Sequence, residues 1–353
     1  MSATVTAVAG LHLTRTEENV AEIDALAAAL AADGGGRVGV DAMVPDLVRR
    51  LRRTWAPTPR LLGRKVTSAY TWEAHDRRDP TWFPQGITTS AETGFRERHG
   101  RDVLATSWYS KQGSGARISV VDVERRRYGH VLLVTPTLED GVAGLRPLKV
   151  HAGGIVWHGE YLHVGGTGKG LYTCRWDDLM RVPAGSSYET WGHRYVLPVR
   201  FIYRGTSDEG IARLRFSFFT IDRSREQPAL VVGEYGSAKQ TRRFARFEID
   251  PVTHLLTGDT EGRYVPEIDE RGQARMQGVA VVDGRFYATA SRTPVYPGSM
   301  YVGEPGGFRE VRWATPIGPE DLVWWPETES LWSVTEHPRR RWVFGMRRSG
   351  LGS

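Results

Sequence analysis

Two kinds of chemistry can be sought in the residue types of this chain. The first is phosphate binding. The stretch HVGGTGKGLY (His163–Tyr172) sets glycines and a lysine between apolar residues. A phosphate loop needs Gly, four residues, then Gly-Lys-Ser/Thr, with a helix to follow. Here His163 stands where the first glycine belongs, and Gly170 replaces the hydroxyl residue that would meet magnesium. The following LYTCRWDDL alternates like a strand. The stretch therefore reads as a turn between two strands, with Lys169 an exposed charge upon it.

The second chemistry is proton transfer. His151 precedes a small-residue AGG run that leaves room around an imidazole able to titrate near neutral pH. Glu320 and Glu336 are the carboxylates best placed to work with it. Around these three catalytic candidates stand Gln85, Tyr109, Arg215, Glu234, Tyr235, Gln277, Asp321 and His337 as substrate-binding candidates. His158, His163, Glu73 and His75 rank lower. The set spans more than two hundred residues of sequence, so only a repeating architecture could bring it together.

Such a repeat is present. GGIVWHGEYLHVGGTGKGLYTCRW (Gly153–Trp176) reads as three strands joined by tight turns. QGVAVVDGRFYATAS, EDLVWWPETESLWSVTEH and FSFFTIDRSREQPALVVGEYG repeat the pattern, and QGITTSAETG with DVLATSWYS forms a looser first copy. Four-stranded units recurring at about 40 to 50 residues or more indicate a β-propeller. Five units are expected, six being the alternative. The last copy shows three strands before the chain ends, so Arg64–Ala74 is expected to close the ring as its fourth. The domain reading is a helical N-terminal extension over residues 1–60 and a propeller over 61–348. Helices are expected in Thr16–Asp33, behind a Thr cap, and in Asp41–Trp55. On this plan the polar candidates mark one point of each copy, either the start of the innermost strand or the end of the second. They converge on a single axial mouth.

Composition narrows the partners. The net charge of +6 is carried by scattered arginines, with short runs such as RRLRR (Arg49–Arg53), the pattern of a solvated basic surface. No nucleic-acid-binding motif accompanies it, so no nucleic-acid partner is expected. The single cysteine, Cys174, allows neither an internal disulfide nor a cysteine zinc site. No signal-peptide pattern and no apolar run of about 18 residues are seen, so no membrane partner and a cytoplasmic location are expected. Oligomeric state is open.

GPEDLVWWPETESLWSVTE (Gly318–Glu336) and FSFFTIDRSREQPALVVGEYG resemble the repeat of the gluconolactonase and strictosidine-synthase-like propellers. That resemblance implies the propeller fold. The lactonases of the group hold a divalent metal with Glu, Asn and Asp ligands. This chain has one asparagine, Asn19, in the N-terminal helix, so a site of that composition cannot be built. The strictosidine-synthase type, which uses a glutamate and no metal, fits better. The expectation is a cofactor-free, metal-independent enzyme acting on a small organic molecule by acid–base chemistry: a cyclisation, condensation, elimination or hydrolysis. His151 with Glu320 or Glu336 would move protons, while Gln85, Gln277 and Arg215 orient the substrate. Two alternatives stand beside it: a non-catalytic propeller binding a protein or glycan, and a glycoside hydrolase of the five-bladed type, which needs paired carboxylates.

Overall fold

The computed structural model describes residues 6–7, 10–54, 65–91, 93–237 and 239–352. Strands dominate, and they fall into consecutive antiparallel meanders of four. The innermost strands are β1 (Trp82–Thr89), β2 (Ile155–His158), β3 (Phe218–Asp222), β4 (Met276–Val282) and β5 (Pro319–Trp325). Each hairpins outward through two further strands to an outer one. In the first unit these are Leu104–Ser110, Ala116–Asp122 and Arg127–Glu139. The second unit runs out to Tyr195–Ser207, the third to Glu267–Asp269 and the fourth to Arg309–Thr315. In the fifth, the outer strand is Val66–Thr71, which pairs antiparallel with Trp342–Arg347. N-terminal and C-terminal segments thus share one sheet.

The five inner strands pack side by side in a closed ring, β1 to β2, β3, β4, β5 and back to β1. This is a β-propeller. No unit can bury both faces of its own sheet, and radial stacking does it for all of them. Small residues at the strand entrances set how closely the ring closes. A Cβ on Gly154 would lie 2.5 Å from the Phe218 Cα, and one on Gly278 would lie 2.4 Å from the Asp321 Cα. In each case the obstacle is the backbone of the next inner strand, which cannot swing aside. HVGGTGKGLY is strand, turn and strand: Tyr161–Gly166 pairs with Gly170–Arg175 in the second unit.

The N-terminal segment packs on the side of the ring. Helix α1 (Val20–Ala32) buries Ile23, Leu26, Ala27 and Leu30. It lies against Arg127–Glu139 and the hairpin strand that follows it. Full burial of an aliphatic side chain contributes about 1.5–3 kcal/mol, so this one stripe anchors the helix. Thr16 is not its cap. The Thr16 hydroxyl accepts from the Ile202 N–H at 3.0 Å, and the helix begins behind Asn19, whose amide donates to the Val199 carbonyl at 3.0 Å. Tertiary partners outcompeted the local cap.

The helix expected over Asp41–Trp55 is much shorter. Helix α2 spans Gly39–Met43, and a single 3₁₀ turn (Val44–Asp46) ends it at Pro45, which has no N–H to donate. The basic run then extends: Arg49–Arg50 pairs with Arg127 and Tyr128, and Arg52–Arg53 pairs with Tyr70 and Thr71. Trp55 lies outside the described residues. Leu11–Arg15 adds to the outer strand of the second unit, so the extension is partly strand. Helices α3 (Ala74–Arg78) and α4 (Phe95–His99) complete the framework.

Candidate functional site

Inner-strand entrances and second-strand ends lie on one face of the ring, and the first and fifth units furnish the residues of most chemical interest there. Glu320 enters β5 with 5% of its surface exposed. Its backbone carbonyl accepts from Thr289 and Ser333 hydroxyls. Its carboxyl group has no hydrogen bond and no cation partner among the described residues. Burial raises its pKa well above the glutamate range, and the neighbouring charges of Glu336 and Asp321 push the same way. Glu320 therefore keeps its proton to higher pH than an ordinary glutamic acid.

Glu336 ends the second strand of the same unit and is one-quarter exposed, with the His337 Nδ1 3.4 Å from its Oε1. Tyr109, from the first unit, feels both carboxyl groups: burial, then Glu336, then Glu320 raise its phenol pKa. The Tyr109 ring carries the His151 ring at 4.2 Å and the Phe83 ring at 5.8 Å. Lys111 lies over Phe83 at 3.6 Å and the Arg341 guanidinium at 5.0 Å. An aromatic ledge edged by cations thus faces a pair of carboxyl groups.

His151 is the candidate expected to move protons with Glu320 or Glu336. Much of it is exposed, and it stacks on Tyr109 with no carboxylate contact among the described residues. Shielding of the ring and then Lys111 lower its pKa, so it is neutral at pH 7. Gln85 is buried and its amide donates to the Pro84 carbonyl at 2.8 Å; Gln277 donates to the Ser291 hydroxyl at 3.3 Å.

The third-unit candidates form a separate structural cluster. Glu234 is fully buried, with both oxygens taken by Arg243 and by the N–H groups of Arg215 and Arg243. Burial alone would raise its pKa, but these donors hold it low. The Arg215 guanidinium donates to the Tyr235 and Thr241 carbonyls, so it braces a loop. Tyr235 is exposed. Glu234 has no bonding capacity to spare for a substrate in this arrangement.

Asp321 fills the axis. One oxygen lies 3.4 Å from the N–H groups of both Ile87 and Ile155, the other accepts from Leu322 at 2.9 Å, and Phe219 donates as well. Burial pushes its carboxyl up against the pull of these donors. It clasps β1, β2, β3 and β5 and is not presented to a ligand. At the other end of the inner strands lies an axial cavity of about 170 Å³, lined by Thr88, Trp157, Thr220 and Trp324 among others.

Sequence reasoning passed over a second buried cluster, at the side of the first unit. Asp76 of α3 is fully buried and accepts from Tyr128 at 2.6 Å, Arg117 at 3.1 Å and Arg49 at 3.3 Å. His130 Nε2 is 3.1 Å from the same carboxylate, and its Nδ1 is 2.8 Å from the Ser119 hydroxyl. The order Ser–His–Asp resembles a hydrolytic triad, but Ser119 is wholly buried and does not line the cavity that borders His130. Burial and Arg117 push the His130 pKa down to about 3, so the imidazole is neutral and Asp76 carries the charge. Burial opposes that charge; hydrogen bonds from His130 and Tyr128, with Arg117, prevail. The signal that could have found the cluster is TWEAHD, acids and a histidine directly after the closing strand.

Among the described residues no group of three or more His, Cys, Asp or Glu is arranged to hold a metal ion, and no helix is long and apolar enough to cross a membrane.

No family model and no curated protein matches this chain. Among solved structures, a gluconolactonase of Xanthomonas campestris is 11% identical, covering 84% of each chain, with a TM-score of 0.37. A GH43 β-1,3-galactosidase is 8% identical over 76% of this chain and 94% of its own, also at 0.37. The β-propeller domain of Cps50 from Myceliophteria thermophila is 11% identical over 69% and 92%, at 0.35. At these values the likenesses transfer no residue role to this chain, and the propeller assignment stands on its own strand topology.

Proposed function

We propose that this chain is an enzyme that performs acid–base chemistry on a small organic molecule in the axial mouth. Glu320, kept protonated, is the acid. It gives its proton to an oxygen or leaving group of the substrate. Glu336, part-exposed, takes a proton from the substrate or from a water. Tyr109 and His151 form the surface on which the substrate lies, and Lys111 stabilises negative charge that develops beside Phe83. Cyclisation, condensation, elimination and hydrolysis all need this pair of roles.

One observation supports the reading above the others. Glu320 is buried in the mouth without a cation or a donor among the described residues. Burying an ionisable group unpartnered costs stability, and such costs concentrate where a shifted pKa does work. Nothing comparable would favour Glu320 in a propeller that only docks a protein or glycan.

The test is turnover of a metabolite panel, read by mass spectrometry, with wild type beside Glu320→Gln and Glu336→Gln. A substrate found with wild type should lose about 10²–10⁴-fold in rate with Glu320→Gln, the range for general acid–base catalysis. Full turnover by that variant would remove Glu320 from the chemistry. Ligands that raise the melting temperature of wild type without any product would favour the binding alternative instead.

A further inference from the structure

A cavity of about 210 Å³ opens on the side of the first unit, away from Glu320. Its walls come from the segment after α2, from α3, from the first unit and from the loop leading into Tyr195–Ser207. Trp82, Arg117, His130, Trp191, His193 and Tyr195 all border it. The walls are thus largely flat rings: His193 packs edge-on to Trp82 at 5.8 Å, and Arg117 lies over the Trp82 ring at 4.6 Å.

The polar groups of the cavity are unevenly satisfied. One oxygen of each carboxylate on its wall is taken. Asp46 receives the Tyr195 hydroxyl at 2.5 Å and Arg194 at 3.0 Å. Asp79 receives the Thr81 and Trp82 N–H groups at 2.6 and 3.2 Å. Asp76, behind the wall, is held as described above. A donor is left over. The Arg117 side chain is 5% exposed, and its Nε has no acceptor among the described residues. An orphaned guanidinium N–H in a nearly closed space is costly unless an acceptor meets it. His193 adds no charge of its own: burial and then Arg117 lower its pKa to about 4, and its Nδ1–H is spent on the Thr190 carbonyl at 2.8 Å.

A second, independent feature lies at the rim. Trp191 is 40% exposed and has φ of 49°, in the left-handed region. Bulky side chains rarely adopt that region, and when they do the strain is commonly kept for a function. Here the strained backbone presents an exposed indole at a cavity whose free donor is buried deeper.

We propose that this cavity is a ligand site, distinct from the axial mouth, for a small planar oxyanion of the aromatic carboxylate class. The carboxylate meets the Arg117 guanidinium, and the ring lies between Trp82 and Trp191. Arg117 remains paired with Asp76 throughout, so binding needs no rupture of the network.

The experiment is titration of the full chain with benzoate, followed by tryptophan fluorescence, with neutral benzamide as control. Benzoate should quench saturably, and benzamide should bind about tenfold more weakly or worse, since charge-assisted hydrogen bonds exceed neutral ones by about that factor. Arg117→Lys should weaken benzoate by about tenfold or more. Trp191→Asn, which accepts the left-handed backbone, should weaken it several-fold while the fold is kept; this variant decides the matter if Arg117→Lys fails to fold. Glu320→Gln should leave the affinity unchanged. The proposal is overturned by no saturation up to about 10 mM, by equal binding of benzamide, by unchanged affinity in Trp191→Asn, or by loss of binding in Glu320→Gln, which would put the ligand in the mouth.

Discussion

Asp76 and Glu320 are both buried carboxyl groups on the same ring, and they are treated in opposite ways. Asp76 receives a guanidinium, a phenol and an imidazole, and a second arginine from the N-terminal segment. Glu320 receives none of these among the described residues, and two other acids lie near it. The first arrangement holds a charge and ties four chain segments together. The second denies a charge and leaves a proton to give. Burial alone does not distinguish the two groups; the presence or absence of partners does.

Breaking each arrangement should therefore give opposite results. The largest effect expected is on rate: Glu320→Gln loses about 10²–10⁴-fold in turnover yet gains stability at pH 7. The sign follows from linkage. The folded pKa of Glu320 lies above its unfolded value, so the unfolded chain ionises first as pH rises, and stability is lost from about pH 4.3 upward. Glutamine cannot ionise, so the variant escapes that loss. Its advantage should shrink as pH falls toward about 4. Thermal melts of both proteins from pH 4 to 8 would check it, and a variant less stable than wild type at pH 7 would refute the unpartnered burial.

Asp76→Ala comes next and runs the other way. It leaves Arg117 buried without its counter-ion, a loss of about 3–5 kcal/mol. The folded pKa of Asp76 is depressed, so its contribution is present above the unfolded value of about 3.9 and fades as pH falls below it. Urea titrations should show a wide gap from wild type at pH 7 that narrows in acid. A gap under about 1 kcal/mol would mean that the network is no structural clasp.

These contrasts also show what the sequence could reveal. The repeat was legible because strand alternation and turn residues are local: GGIVWHGEYLHVGG carries its hairpin in its own letters. The place of Glu320 at an inner-strand entrance was legible through its register in the repeat. What the other polar candidates do was not. Glu234 is neutralised by Arg243, nine residues on, across a hairpin, and Asp321 is claimed by N–H groups of three other strands. Those partners exist only once the ring has closed. The Asp76 cluster joins α3 to the first unit and the N-terminal segment outside any repeat register, so no periodicity announces it. The short α2 was missed for a related reason: in RRLRR the strand partners, Tyr128 and Tyr70, are far away in sequence and outweigh helical propensity.

A smaller effect is expected where the ring itself is tightest. Gly278→Ala places a methyl 2.4 Å from the Asp321 Cα. Since backbone must shift, a loss of about 1–3 kcal/mol is expected. Asp321 is the clasp on the axis, so the strain should also reach the neighbouring Glu320: turnover should fall along with the melting temperature. An alanine variant as stable as wild type would show that the ring closes more loosely than these distances imply.

The smallest effect concerns His151 and sharpens the comparison most. If the neutral acid of the mouth is Glu320, the imidazole on Tyr109 supplies a surface and no proton. His151→Phe keeps a ring on the Tyr109 face and removes both nitrogens. Turnover should then change by less than about tenfold, mainly through KM, whereas loss of a true acid or base would cost about 10²–10⁴-fold in kcat. The pH profile separates the two cases more cleanly than the rate does. An essential histidine contributes a limb at its own lowered pKa, which phenylalanine would abolish. With Glu320 as the acid, the alkaline limb reports its raised pKa and survives in His151→Phe, because phenylalanine keeps a ring in place of the imidazole.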